Sequence, residues 1–508
     1  MELNNRKIVK NTVFIYIRLF SSIVIGLYTS RVVLQILGVS DYGLFNVVGG
    51  ILAMFTFLSN SLSVATSRFF NTEMGKPGGD LNKSFCINLF LHVCLALLIF
   101  SLAESIGTWY IYNRLAVDPG KIGDAIFIYN VAIIVACIGI INNPYNSLFV
   151  AHEKFQFITI LEICNLFIRL FCVVLLQNYE GQNVLRLYSM IVGITTANTF
   201  VVYHFVAARR WAHIIKFNFI KGWKNYKDVL TFSNWNLLGT ISYMVQSSGC
   251  DLVLNSFFGT AVNGAYAISK SVSLYVTQFS NNFDAPAAPQ IIKAYAAGDE
   301  DRYMYLAYKV GRFSLLCFEL LFFPLFIELD FILQLWLGTV PDGALVFTKI
   351  QLLMAAVALT GGGLTQIITA SGKIKWFKIE LSILFISCVP MSYLLFSLGY
   401  PPYCMLLLLL SADIIQRIIQ LFLANRMLKF NVLEYIKEAY LRPSAIAIIM
   451  TLYIYAYSQL AVCSNIFRVG AISCTLLLTV IMVFSIGLKK TERDKIVVLI
   501  QRRLQSIK

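Results

Sequence analysis

Charged side chains are scarce in this chain of 508 residues: Asp, Glu, Lys and Arg make up 13% of it, where a soluble domain carries roughly a quarter. Hydrophobic residues reach 58% in compensation. That excess is too large for one apolar core, and it excludes a soluble enzyme, a disordered chain and a nucleic-acid-binding domain. Histidine is rarer still. The four present, His92, His152, His204 and His213, are scattered and form no HExxH pair. Of the 11 cysteines no two have CxxC spacing, and Cys86, Cys94, Cys137, Cys164, Cys172 and Cys317 sit inside apolar runs. A zinc site or redox pair is therefore not expected, and no cofactor motif is present.

What is abundant is long runs of Leu, Ile, Val and Phe. Such runs fall at 9–37, 42–70, 84–110, 122–150, 156–177, 184–208, 232–258, 262–290, 306–337, 345–370, 376–398, 402–425, 444–462 and 467–488. They predict an all-α integral membrane protein of about 14 transmembrane helices. The first run is too long for a signal-peptide core and reads as a permanent span. The net charge of +15 is unevenly placed. On the side of the N-terminus, the loops and the tail after Gly487 carry 29 of the 41 lysines and arginines. The opposite loops carry Arg114 and Lys121, with Arg186, Lys349 and Arg468 near helix ends. This bias predicts cytoplasmic termini. The outer loops are short turns apart from 111–121, which leaves little chain for an outer-face enzyme site.

Sliding the chain against itself reveals a repeat. A shift of 221 places Gly38 on Gly259, Gly43 on Gly264, Thr56 on Thr277, Ser59 on Ser280 and Asn60 on Asn281. A shift of 219 places Ala151 on Ala370 and Lys154 on Lys373. The repeat predicts an N-terminal lobe over 1–208, a cytoplasmic linker over 209–231 and a C-terminal lobe over 232–425. A loop over 426–443, two extra helices over 444–488 and a basic tail over 489–508 follow. Six helices separate the copies, so they share one orientation, the parallel-repeat arrangement.

Polar residues inside apolar spans are costly, about 2.5–3.5 kcal/mol for a charge at the centre. Segment eight carries Lys270, Ser273, Thr277, Asn281 and Asp284 on one helical face. Segment two repeats the phase with Thr56, Asn60, Ser63 and Ser67. Segment one carries Asn11, Arg18, Ser22 and Thr29; segment seven carries Thr240, Ser247, Ser248, Asp251 and Asn255. Single hydroxyls suit polar contacts between packed helices. Matching stripes with charges point to a hydrated cavity between two lobes, with Asp284 against Arg18 and Asp251 against Arg31 as gates. Arg31 lies on another face of its helix near the outer end, where it could equally snorkel. Asp413 and Arg417, at i and i+4, are expected to satisfy each other, and Glu162 and Arg169 to pair through a neighbour. Pro144 and Gly361-Gly362-Gly363 occupy repeat-equivalent positions and would bend their helices.

Two stretches carry a resemblance. Ser30-Arg31-Val32 with Gly38-Val39-Ser40-Asp41-Tyr42-Gly43-Leu44-Phe45, and Ala151-His152-Glu153-Lys154-Phe155, resemble the polysaccharide exporters. These are the lipid-linked-oligosaccharide flippases of the multidrug/oligosaccharidyl-lipid/polysaccharide (MOP) superfamily. The resemblance implies two six-helix lobes, a cavity lined by segments one, two, seven and eight, and alternating access. It implies a polyprenyl-diphosphate-linked oligosaccharide flipped toward the periplasm across the bacterial inner membrane, in the synthesis of O-antigen, capsule or exopolysaccharide. It implies coupling to a proton or sodium gradient, and membrane lipids and polysaccharide assembly proteins as partners. Basic cavity residues then hold the diphosphate: here Arg18 and Lys270, with Arg31 as a third. Ser22, Thr29, Thr56, Asn60, Ser63, Ser247, Asp251, Thr277, Asn281 and Asp284 would line the cavity. A multidrug extruder of the same superfamily, or a membrane-embedded polysaccharide polymerase or glycosyltransferase, are the rival readings. A polymerase calls for a sizeable outer loop, and an extruder more typically has twelve helices.

Overall fold

A computed structural model describes residues 2–53, 56–113, 119–179, 181, 183–459 and 464–494. Every described element is helical or a turn. In a bilayer this is the economical solution, because each helix satisfies its own backbone N–H and C=O groups. In chain order the helices are α1 (Glu2–Ala53), α2 (Thr56–Gly75), α3 (Leu81–Leu102), α4 (Ile122–Ala151), α5 (Phe155–Leu176), α6 (Val184–Arg210), α7 (Lys224–Asn281) and α8 (Ala288–Ala296). They continue as α9 (Glu300–Ile327), α10 (Leu329–Leu337), α11 (Ala344–Leu359), α12 (Gly362–Ser371), α13 (Lys375–Ser397), α14 (Tyr403–Leu428), α15 (Val432–Ala439), α16 (Leu441–Ser458) and α17 (Asn465–Met482).

Among the described residues nine helices are long and apolar enough to cross a membrane, or eleven if two bent pairs each count as one span. The pairs are α11–α12, bent by 44°, and α15–α16, bent by 47°. The sequence predicts fourteen. The three segments outside this set are the second, seventh and eighth, which are helical in α1, α2 and α7 but too short or too polar to qualify. They are three of the four that carry polar stripes. Helix α15 lies inside the stretch expected as a loop over 426–443.

The chain forms two compact units: residues 1–240 with 292–299, and residues 241–291 with 300–508. The expected linker 209–231 belongs to the first and the helices of 444–488 to the second. In the first unit α4 packs on α3 and α6, and α1 on α5. Its interior includes Ile128, Tyr129 and Ile133 of α4 against Leu44 and Ala103. In the second, α14 packs on α11 and α13, around Cys250, Tyr266, Phe347, Met405 and Leu406.

The backbone repeats along with the sequence. Helix α1 is broken at Gly38 (φ 73°, ψ 172°) and α7 at Gly259 (φ 77°, ψ −176°), 221 positions apart. That region of φ/ψ space is essentially closed to residues with a Cβ, so two glycines place the same break in both copies. Gly78 and Gly298, 220 apart, both have φ 74°. Glu153 (φ 56°) and Gly372 (φ 74°), 219 apart, end α4 and α12. The expected symmetry of Pro144 and Gly361-Gly362-Gly363 does not extend to their effect. Helix α4 runs unbroken through Pro144, whereas α11 and α12 separate at Gly361. A Cβ on Gly363 would lie 2.2 Å from the Ala307 carbonyl, so there the glycine also serves close packing against α9.

Candidate functional site

In the first unit the polar face of α1 meets α5. Arg18 donates from Nη1 to Glu162 Oε1 at 3.2 Å. One turn earlier on each helix, Thr159 donates to the Phe14 carbonyl at 3.2 Å. The two contacts repeat with the helical period, so one face of each helix holds both. The pair is only partly shielded, with side-chain exposures of 30% for Arg18 and 39% for Glu162, which leaves Arg18 accessible to a ligand. Beside it lies a cavity of about 270 Å³ lined by Ser22, Asn142, Glu162, Asn165, Arg169 and the threonines 195, 196 and 199 of α6. Asn165 donates to Thr199 at 2.8 Å and accepts from Asn198 at 2.9 Å. Arg169 donates to the Tyr188 hydroxyl at 2.8 Å. Asn142 Oδ1 and Arg169 Nε are buried without a partner. At roughly 30 Å³ each, several waters fit in the cavity.

Glu162 therefore serves Arg18, and the expected link between Glu162 and Arg169 does not form. The residues Asn142, Asn165, Thr196 and Thr199 are absent from the sequence-based site. Each is an isolated polar residue in an apolar run, and only the packing of α4, α5 and α6 brings them to one place. Of the other expected residues on α1, Ser22 lines this cavity. Thr29 is buried and donates back to the Ile25 carbonyl at 2.7 Å, an internal bond of its own helix. Arg31 is exposed, with no ion-pair partner among the described residues. On α2, Asn60 is exposed and Ser63 half-buried; the Thr56 side chain lies outside the described residues.

The loop between α4 and α5, which carries Ala151-His152-Glu153-Lys154-Phe155, is held from three sides. Lys293 donates to the Ala151 carbonyl and pairs with the Glu153 carboxylate at 3.1 Å. Asn11 donates to the Glu153 carbonyl at 3.3 Å. The His152 ring stacks on Trp211, 4.2 Å between centroids.

In the second unit Lys270 donates to both Asp251 oxygens at 2.7 Å and lies 4.6 Å from the centre of the Tyr266 ring. The polar stripes suggest Asp251 as a partner for Arg31, and the resemblance implies Lys270 as a substrate residue; here Asp251 and Lys270 hold each other. The break at Gly259 folds α7 so that two residues 19 apart meet, which no helical periodicity reveals. Ser247 is half-buried and Asn281 exposed. Ser273 donates to the Gln351 carbonyl at 3.2 Å, so part of the stripe packs against α11. Thr277 donates to the Ser273 carbonyl at 2.7 Å, within its helix. Asp284 is buried and accepts from the Ser314 hydroxyl, with Gly362 close by. Arg417 donates to Gln420 at 2.6 Å, and no ion pair joins it to Asp413.

Many spans, two units built on one repeat and buried polar centres within them define the class: a multi-pass membrane protein. Solved structures agree on the fold. An outward-facing multidrug resistance MATE family transporter of the MOP superfamily matches with a TM-score of 0.65 at 14% identity, covering 84% of this chain and 95% of that one. A MOP superfamily transporter from Pyrococcus furiosus matches at 0.64 and 15%, covering 84% and 95%. The Vibrio cholerae MATE transporter VcmN in its bent form matches at 0.66 and 14%, covering 86% and 99%. No curated protein matches the sequence. The family model described as polysaccharide biosynthesis protein matches residues 32–339, more than half of the chain, and the chain belongs to that family.

Proposed function

We propose that the protein flips a polyprenyl-diphosphate-linked oligosaccharide from the cytoplasmic to the periplasmic leaflet of the bacterial inner membrane. Both termini are then cytoplasmic, and the two repeat lobes alternate access. The observation that carries this reading is the combination of a polysaccharide-biosynthesis family match with a transporter fold. A membrane transporter in polysaccharide synthesis needs a cargo that is made on one face and used on the other. A lipid-linked sugar is such a cargo. Arg18 is the residue assigned to the diphosphate. Its guanidinium sits on a polar face of an apolar span, is partly exposed, and can engage phosphate oxygens in a fork. Lys270, held by Asp251, serves instead as a charge released when that pair opens. Cargo delivery to polysaccharide assembly proteins, and a proton or sodium gradient as energy source, complete the proposal.

The test is genetic. Deletion of the gene is expected to abolish the surface polysaccharide and to accumulate its lipid-linked repeat unit on the cytoplasmic face. Unchanged polysaccharide together with increased sensitivity to cationic drugs would favour the multidrug reading.

A further inference from the structure

Buried polar atoms without partners concentrate in one place in the second unit. Both carboxylate oxygens of Glu380 on α13 are buried and unpartnered. Asp413 on α14 forms no hydrogen bond or ion pair among the described residues. Arg417, one turn further on, leaves its Nε buried without a partner and spends Nη1 on the neutral Gln420. Gln416 is 1% exposed, on the same helical face, and neither atom of its amide is bonded. Arg417 lies within electrostatic reach of both acids. The other titratable groups nearby are Tyr243 of α7 and Cys388 of α13, beside Asp413, and Tyr435 of α15 with Tyr440 at the start of α16, beside Arg417. At the α11–α12 break Gly361 and Thr365 hold Gln420, the Thr360 carbonyl accepts from the Tyr440 hydroxyl, and Gly362 lies against the Asp284 carboxylate, which is also within electrostatic reach of Tyr435.

Charge arithmetic at this site does not close. Two carboxylates face one guanidinium, which leaves one buried negative charge in excess. A buried charge without a counter-charge is expensive, and the ordinary escape is to take up a proton. A metal ion is a poor alternative. Arg417 already supplies a positive charge within electrostatic reach of both acids, and no group of three or more metal-ligating side chains occurs among the described residues. The free amide of Gln416 offers both an N–H donor group and a carbonyl acceptor, the complement of a neutral carboxyl group.

We propose that Glu380 and Asp413 together hold one exchangeable proton, with Arg417 neutralising whichever acid is ionised. On uptake an O–H bond forms on one carboxylate; on release that proton leaves to water and the acid turns to Arg417. A Cβ on Gly361 would lie 1.8 Å from Arg417 Nη1, so the guanidinium rests on the hinge of the bent pair α11–α12. Moving Arg417 between Gln420 and an acid changes what that hinge packs against, which ties proton occupancy to the helix bend. The use of this proton as the coupling ion rests on the transporter reading; the proton site itself does not.

The test is a pH-difference infrared spectrum of the purified full-length protein without substrate, read at the C=O stretch of protonated carboxyl groups. A Glu319→Gln/Asp284→Asn background removes the two other buried acids without a counter-charge, Glu319, whose Oε2 lacks a partner, and Asp284, which is bonded only to the Ser314 hydroxyl. The parent is expected to show a titrating carboxyl band. Glu380→Gln and Asp413→Asn are each expected to abolish it, because one acid then balances one guanidinium. Arg417→Gln is expected to double it. Absence of a titrating band in the parent, or its survival in both single-acid variants, would overturn the proposal. The parent spectrum decides even if a variant does not fold. No transported lipid enters the measurement, so its failure leaves the flippase reading untouched.

Discussion

At the scale of the residue, two ion pairs separate ligand binding from structure. Arg18 and Glu162 are bonded but partly open. If Arg18 holds phosphate, Arg18→Ala abolishes polysaccharide export with the protein still in the membrane, and Arg18→Lys, lacking the fork, is impaired. If it only neutralises Glu162, the double variant Arg18→Ala/Glu162→Ala restores export. The account expects no restoration, measured as surface polysaccharide per cell. Lys270 and Asp251 are bonded through both carboxylate oxygens. Reversing either charge alone strands the other, at a cost of about 1–3 kcal/mol. Asp251→Lys combined with Lys270→Asp is expected to recover most of the lost thermal stability. An equal loss in single and double variants would show that the pair does not form.

At the scale of the element, the breaks at Gly38 and Gly259 carry the repeat. Both have a backbone conformation that a Cβ disfavours, while the space around each is open, with nothing within 4 Å of where a methyl group would sit. The penalty of Gly38→Ala or Gly259→Ala is thus conformational, of order 1–3 kcal/mol each. Similar drops in melting temperature are expected for the two, as they occupy equivalent places. A neutral effect at one would mean that the helices straighten there. The stripes behave less uniformly than their periodicity suggests. Asn60 and Asn281 are exposed, while Thr29 is buried. In a cysteine-free background, cysteines at Asn60 and Asn281 are expected to react with a polar thiol reagent and one at Thr29 to resist it. Equal labelling of all three would contradict the burial pattern.

At the scale of the whole molecule, much was legible in the sequence. Apolar runs and the 221-residue shift bear on what lipid and backbone geometry demand of each stretch, and the helices follow them. The repeat was readable because Gly38 and Gly259 are forced by backbone geometry. Partners of polar residues were not readable. Arg18 with Glu162 spans 144 positions, and Lys270 meets Asp251 only because α7 is broken between them. Asp413 and Arg417 fit the i, i+4 rule, yet Gln420 and the Gly361 hinge claim the guanidinium first. Local spacing says which residues could meet; competition from other helices decides which do. The charge bias sets the expected sidedness: reporter fusions after Lys224 are expected to read cytoplasmic and at Pro119 periplasmic, and the reverse would contradict the proposed direction of flipping.

In the proposed function this chain moves a lipid-linked sugar across a bilayer. The most direct measurement reconstitutes the purified protein in liposomes carrying a fluorescent polyprenyl-diphosphate oligosaccharide, and follows how much of the label a membrane-impermeant quencher reaches. In protein-free vesicles only the outer-leaflet fraction is quenched. With the protein present the inner-leaflet fraction is expected to become accessible with time, and with Arg18→Ala it stays protected. If the inner-leaflet label stays protected with the folded wild-type protein under an imposed proton or sodium gradient, the flippase account is contradicted.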